Sequence, residues 1–420
     1  MCIVSITLDI LEVGARGDGV AELEGQRYFV PYCLPAERVK AEPLDKRGDG
    51  IACELLEVLA PSRHRETPPC AHFGTCGGCA LQHWRRDIYT GWKSELISKA
   101  LAQRGVKAPR FEAPVGCEPG ERRRADIVLR REGKRILAGF HERASQSVID
   151  VDTCVVACSR INAALAPLRS AMASILRDGT SADAVVNETD TGLDVLIRPH
   201  RRFDLALPIR ETLITLAQSA DFARVSWGDR ATAEPVLVRR TPQLILGDVT
   251  IEPPPGVFLQ ATKRAELVMR AGVNAWAGQA THLADLFAGI GALSLGKPGR
   301  LSLFEYDKPS VAAVDAAARK LGGNRVTVQL RDLFRRPLST KELEAFDAVV
   351  LDPPRAGAAA QCAELAASKV KRIVYASCDP ASFARDVRTL QDGGYRLEKL
   401  MPIDQFLWSA HVELIALLTK

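Results

Sequence analysis

From about residue 256 onward, short apolar runs alternate with stretches of helical spacing, and the runs end on polar residues. The runs are 281–286, 301–304, 326–330, 348–351 and 373–376. They are short, and they alternate with helical stretches. That predicts strands covered on both faces, with helices at 261–276 and 310–321 between them. Residues 412–417 read as a last strand. The architecture this dictates is a doubly wound, mostly parallel α/β sheet.

The preceding chain has another rhythm. Residues 1–59 hold short alternating stretches, such as 3–6 and 27–30, split by glycine-rich turns, such as Gly14-Ala-Arg16-Gly17-Asp18-Gly19. Several short strands at that spacing suggest a small β-barrel. A Pro-rich linker follows at 60–69. Spacing of Ile88, Trp92, Leu96, Ile97 and Leu101 predicts a helix stopped by Gly105. Residues 111–250 mix strands (125–129, 136–140, 147–151, 193–198, 244–246) with helices (161–176, 209–217), an α+β pattern. Three domains are therefore expected: 1–59, 60–250 and 251–420.

With 420 residues there is material for two or three cores. No secretory leader is evident, and no apolar stretch reaches the roughly 18 residues a membrane-spanning helix needs. A cytoplasmic protein without a membrane partner is expected. Eleven cysteines in such a chain argue for thiols, metal or catalysis over disulfides. Cys2, Cys33, Cys53, Cys117 and Cys362 stand alone in apolar or mixed surroundings and read as small buried hydrophobes. The net charge of +5 says little. Basic runs at Arg122-Arg123-Arg124, Arg130-Arg131 with Lys134-Arg135, and His200-Arg201-Arg202 suit phosphate, and the competing reading is a solvated face.

Ligands of a parallel sheet bind at the carboxyl ends of its strands. Those ends carry Asp285 with Gly289 and Gly291, then Glu305, Asp332, Asp352 and Cys378. Glycines permit close backbone approach. An acid after the second strand can accept both ribose hydroxyls, and one after the third an adenine amino group. The loop Gly289-Ile-Gly291-Ala-Leu-Ser294 falls short of G-x-G-x-x-G, which favours a sulfonium cofactor over a dinucleotide. Asp352-Pro353-Pro354-Arg355 resembles the acidic Pro-Pro loops by which methyltransferases place a nucleobase. Cys378 follows a buried strand and precedes a helix start, where the dipole favours a thiolate. The alternative is a structural cysteine. His411-Val412-Glu413 supplies a base. A thiolate adding to C6 of uracil makes C5 nucleophilic toward a methyl donor, and a base then removes the C5 proton. The target base must leave its stack to be reached.

The segment Cys70-Ala-His-Phe-Gly-Thr-Cys76-Gly-Gly-Cys79 is neither a paired zinc-ribbon spacing nor C-x3-C-x2-C. Three close thiols among glycines suit three corners of a [4Fe–4S] cluster, whose fourth thiolate comes from Cys154 or Cys158. Zinc and a metal-free structural role are the competing readings.

These blocks, with Phe258-Leu-Gln260 and Asp-Pro-Pro-Arg-Ala-Gly357, resemble the RNA uracil-5-methyltransferases, most closely their iron–sulfur branch acting on 23S ribosomal RNA. The resemblance spans nearly the whole chain. It implies an OB-like N-terminal barrel of TRAM type for RNA, a cluster-bearing central domain and a Rossmann-like S-adenosylmethionine domain. By motif, Cys378 would be the nucleophile and Glu413 the base. Gln260, Phe287, Gly289, Glu305, Asp332 and Asp352 would line the cofactor site. Cys70, Cys76, Cys79 and Cys154 would hold the [4Fe–4S] cluster. Ala292 stands where relatives often carry Asn. The expected partner is 23S ribosomal RNA and the expected state a monomer. Competing readings are a transfer-RNA uridine methyltransferase and a non-catalytic iron–sulfur RNA-binding protein.

Overall fold

The computed structural model describes residues 5–201, 204–321 and 325–420. Cys2, the start of the 3–6 run and Arg202 lie outside the described residues. Three large sheets organise the chain.

The C-terminal sheet has eight strands. Val326–Leu330, Arg300–Glu305, His282–Leu286, Ala348–Leu351 and Arg372–Ser377 run parallel in that spatial order. The antiparallel pair Glu413–Thr419 and Arg396–Asp404 continues it, and Val115–Gly116 forms the far edge. Parallel strands bury both faces, and Val349, Val350, Leu351, Ile373 and Val374 are fully buried. Helices close the faces. Lys263–Trp276 begins on Thr262, whose hydroxyl accepts from Ala265 N at 3.1 Å. Pro380–Asp392 begins on Asp379, whose carboxylate accepts from Ser382 N at 2.8 Å, with Pro380 as first helical residue. That cap turns the chain sharply just after Cys378.

Seven strands between Arg124 and Val238 form the middle sheet, antiparallel except for Gly192–Pro199 beside Arg224–Trp227. Helices Ser159–Ile175 and Leu207–Ser219 pack their apolar stripes on it. Strands and helices mix here as the sequence pattern suggests. Helix Arg86–Gln103 buries Ile97 and Leu101 in the C-terminal core. The hairpin Leu244–Leu246 with Val249–Ile251 also packs there. An apolar helix face announces that it is covered, without naming its cover.

Residues 6–60 form a six-stranded sheet running from Ile6–Asp9 at one edge to Glu12–Val13 at the other. Its small core is Leu8, Ile10, Val30, Val39 and Ala41, with Cys33 and Cys53. Cys33, Cys53, Cys117 and Cys362 are all buried, as their apolar surroundings predict. No helix among the described residues is long and apolar enough to cross a membrane.

Candidate active site and cysteine cavity

Strand register brings the predicted nucleophile and the predicted base together. Ser377 pairs with Leu414 across the antiparallel ladder, so Cys378 and Glu413 stand side by side where the two strands end. Directly opposed residues of such a pair have Cβ atoms about 5 Å apart. Asp352 follows the neighbouring strand, its N–H donating to Leu286 O at 3.2 Å. Burial pushes the Glu413 carboxyl up to about 7, against a hydrogen bond from Gln405 that pulls it down. Burial and then the carboxylates of Glu413, Asp285 and Glu305 hold Asp352 well above the usual range.

Cys378 departs from the sequence-based expectation. Burial, then Glu413 and Asp352, push its thiol up to about 11, and Arg355 pulls the other way. The helix start is present, but burial first and the two carboxylates after it outweigh it, so the resting group is a thiol. His411 is pushed down to about 4 by burial and by Arg355, whose Nη2 stands 2.8 Å from the imidazole ring. The histidine is therefore neutral at pH 7.

The predicted cofactor residues lie along the same strand ends. Phe287 holds φ at +62°, strain of the kind found at binding sites, and its ring meets Phe334 at 5.3 Å. Gly289 takes φ +55° with nothing within 4 Å of an added Cβ, leaving open space over the loop. Gly291, at φ +74°, has no such room, because a Cβ would meet Leu295 at 2.6 Å. The Glu305 carboxylate accepts from Gly289 N, Tyr306 N and Asp307 N at 2.7–2.8 Å. Asp332 caps its own loop, accepting from Phe334 N at 3.0 Å, so the structural role open to any such acid is realised here. Gln260 is buried beside Gln405, whose Nε2 donates to its Oε1 at 2.7 Å. Sequence reasoning missed Gln405 and the exposed Phe334. The only hint for Phe334 is its place two residues after Asp332.

A cleft of about 590 Å³ opens from Cys378, Asp379 and His411 toward the N-terminal sheet, where Arg16, Phe29 and Arg47 line it. Arg27 and Arg47 both lie over the Phe29 ring, at 5.6 and 5.4 Å. The arginine runs of the middle sheet are mostly engaged within the fold. Arg123 is buried against Glu266, Arg135 pairs with Asp150, and Arg131 donates to the Ala173 and Leu176 carbonyls ending a helix. Those runs are therefore weaker evidence for phosphate than their charge implied.

Cys70, Cys76, Cys79 and Cys154 line one cavity of about 210 Å³, with Phe73, Gln82, Arg122 and Arg124 on its wall. Gly78 N points at Cys76 Sγ at 3.5 Å, and Gln82 Oε1 accepts from Cys70 N at 3.2 Å. Burial pushes Cys79 up to about 12. Cys158 is outside this lining; it precedes helix Ser159–Ile175 and faces Glu188. Among the described residues, no group of three or more His, Cys, Asp or Glu is placed to hold a metal ion, so the expected metal site is not shown by the geometry. Zinc demands such convergence, about 2.3 Å from each sulfur to one centre.

The family described as tRNA (uracil-5-)-methyltransferase matches residues 272–420. A 23S rRNA (uracil(1939)-C(5))-methyltransferase RlmD of Chromohalobacter salexigens is 34% identical over 432 residues, covering 98% of this chain and 89% of the relative. The chain belongs to the RNA (uracil-5-)methyltransferases. It is an S-adenosylmethionine-dependent enzyme. An uncharacterized RNA methyltransferase of Brucella melitensis is 42% identical over 417 residues, 98% of this chain and 97% of the relative. Among solved structures, the Pyrococcus abyssi tRNA (uracil-54, C5)-methyltransferase in complex with S-adenosyl-L-homocysteine superposes with a TM-score of 0.76 at 21% identity. It covers 99% of this chain and 100% of that one. At that identity the likeness establishes the fold alone, here the Rossmann-like methyltransferase sheet.

Proposed function

We propose that this RNA (uracil-5-)methyltransferase modifies a uridine of 23S ribosomal RNA, with Cys378 as nucleophile and Glu413 as base. The observation that carries the reading is the register of the Arg372–Ser377 and Glu413–Thr419 strands, which sets thiol and carboxyl side by side. The full-length relative of 34% identity supports the ribosomal substrate.

When bound, S-adenosylmethionine supplies an electrophilic methyl group. Gln260, Phe287, Gly289, Glu305, Asp332 and Asp352 are the residues to bind it. The aromatic pair Phe287 and Phe334 offers apolar surface for a purine, and Glu305 offers a carboxylate to ribose hydroxyls. Cys378 rests as a thiol, so its proton leaves as the sulfur bonds to C6. Glu413, about half ionised near pH 7, is the carboxylate beside it to receive that proton. The C6 adduct is an enolate nucleophilic at C5, and methylation there leaves a C5 proton to remove. Glu413, having shed the first proton to water, takes this one, and elimination expels the Cys378 sulfur as a thiolate that recovers its proton from Glu413. The flipped uracil enters by the 590 Å³ cleft, with Arg16 beside the RNA backbone and the six-stranded N-terminal sheet acting as the TRAM-type, OB-like RNA module.

The four-cysteine cavity suits a [4Fe–4S] cluster held by Cys70, Cys76, Cys79 and Cys154. It takes no part in the sulfonium chemistry, so its contribution is to the fold and to the shape offered to RNA.

The test is incubation with methyl-labelled S-adenosylmethionine and, in separate arms, 23S ribosomal RNA and bulk transfer RNA. Label at one uridine of 23S RNA is expected, and Cys378→Ala should remove it. Label only on transfer RNA overturns the substrate. Full activity of Cys378→Ala overturns the nucleophile.

A further inference from the structure

Gln405 belongs to no motif, yet it is buried at the centre of the site, 2% exposed. It stands at the start of the 405–412 loop joining the last two strands of the sheet. Its single amide makes three contacts. Nε2 donates to Gln260 Oε1 at 2.7 Å and to Glu413 Oε2 at 2.8 Å, and Oε1 accepts from Ala261 N at 2.8 Å. Two N–H donors and one carbonyl are thereby all used. The Ala261 contact also fixes which end of the amide is nitrogen, because a backbone N–H can only donate.

We infer that Gln405 is a positioning residue that aims the base Glu413 and the cofactor-side Gln260 through one side-chain amide. The inference rests on the proposed base role of Glu413. Donation to a carboxylate favours its ionised form, so Gln405 keeps Glu413 basic inside a site whose burial would otherwise hold it protonated. Donation to Gln260 Oε1 fixes which end of that amide is oxygen and leaves its –NH₂ as the donor end. The loop is braced on its other sides. Asp404 is ion-paired with Lys93 of helix Arg86–Gln103, and Lys93 Nζ also donates to Phe406 O at 3.1 Å. Arg123, paired with Glu266, donates through Nε to Gln260 O at 3.1 Å. The charged and titratable groups around Glu413 are thus Asp352 and Cys378 at the strand ends and His411 on the loop. Behind them lie the Lys93–Asp404 and Arg123–Glu266 pairs.

Loss of the donated hydrogen bond favours the protonated form of Glu413, so its pKa rises. The rising limb of the pH–rate profile then moves to higher pH.

The experiment uses the full-length enzyme, methyl-labelled S-adenosylmethionine and 23S RNA carrying [5-³H]uridine. Methyl incorporation reports transfer, and tritium release reports C5 proton removal. Gln405→Met conserves volume and removes all three contacts. It should move the limb for tritium release up by about one pH unit. Methyl incorporation should then exceed tritium release, with a protein–RNA adduct surviving denaturation, and KM for the cofactor should rise. Gln405→Asn, which keeps an amide too short to reach both partners, should move the limb the same way and less far. It serves if the Met variant melts early. An unmoved limb in a folded variant of either kind overturns the inference, even with kcat lowered, because a merely structural role would slow the enzyme without shifting its pH dependence. Glu413→Gln in the same assay separates the two readings. Clean turnover there removes the base, whereas a stalled adduct there with an unmoved limb in Gln405→Met removes only the role of Gln405.

Discussion

The molecule has two thiol sites, and burial pushes both up in pKa, Cys378 to about 11 and Cys79 to about 12. They differ in what holds them. Cys378 sits between a buried strand and a capped helix, with Glu413 fixed by ladder register. The cysteines of 70–79 lie where no regular element runs between Ala60 and Arg86. They are held by turns, such as Cys76 N to His72 O at 2.9 Å, and by the stitch of Gly77 N to His141 O, also 2.9 Å. A strand-end site is preorganised by the sheet and needs no ligand to keep its shape. A loop site draws its order from what it binds, and deprotonating such thiols requires a strong electrophilic partner.

The largest expected effects set these sites against each other. Cys378→Ala should cost at least about 10³-fold in methylation while leaving the melting temperature nearly unchanged, because the sheet does not depend on that sulfur. Cys79→Ser should do the reverse, removing the broad absorbance near roughly 400 nm of such a cluster and lowering the melting temperature by about 5 °C or more. Equal thermal losses in the two variants would break the comparison. Stoichiometric zinc in anaerobically prepared protein would replace the cluster.

The contrast extends to how legible each region is in the amino-acid sequence. Buried parallel strands read as plain apolar runs, so 348–351 coincides with the observed element. Strand Arg396–Asp404 carries no such run, because Glu398 and Lys399 face solvent and the register shifts between Leu397 and Lys399. Strand-end chemistry is legible because topology alone brings those positions together, as with Cys378 and Glu413. Gln405 is not, since its partners are Gln260, 145 positions away, and Glu413. No local pattern marks a residue whose role is to join others. The arginine runs mislead for a related reason: charge is visible in sequence, but the carboxylates that satisfy it are far along the chain, as Glu266 is from Arg123.

A smaller effect sharpens the picture of the catalytic end. The Glu413 carboxyl is raised to about 7 from its ordinary 4.5. The unfolded chain therefore gives up that proton at lower pH than the native state does. Stability from the neutral carboxyl is fully present below about pH 4.5 and is lost as pH rises through about 7. Glu413→Gln removes a group that the fold prefers uncharged. At pH 8 it should melt higher than wild type, by about 1–3 kcal/mol of stability, while turnover stalls as a covalent RNA adduct. At pH 4 the thermal difference should vanish. A variant that melts lower at pH 8 would mean that the charged form is favoured by partners other than Gln405.

The smallest effect concerns the place where the two sites touch. Ala80 N and Leu81 N, directly after Cys79, both donate to Trp408 O, at 2.8 and 3.0 Å, and Trp408 holds φ at +58°. The cysteine segment therefore leans on the loop that carries Gln405. Two outcomes compete: if this contact alone held the loop, losing the cluster would misplace Glu413 and abolish turnover. But the loop is also anchored from helix Arg86–Gln103, where Lys93 is buried against Asp404 and Tyr89 Oη donates to the same carboxylate at 3.1 Å. Breaking a buried pair of that kind costs about 3–5 kcal/mol, more than two backbone hydrogen bonds contribute. Cluster-free Cys79→Ser protein, assayed below its melting temperature on 23S RNA, should thus keep at least about a tenth of wild-type turnover. Its pH–rate limb should stay at the wild-type position. A limb displaced in that variant would show that the cysteine segment, and not the Lys93–Asp404 pair, sets the aim of the base.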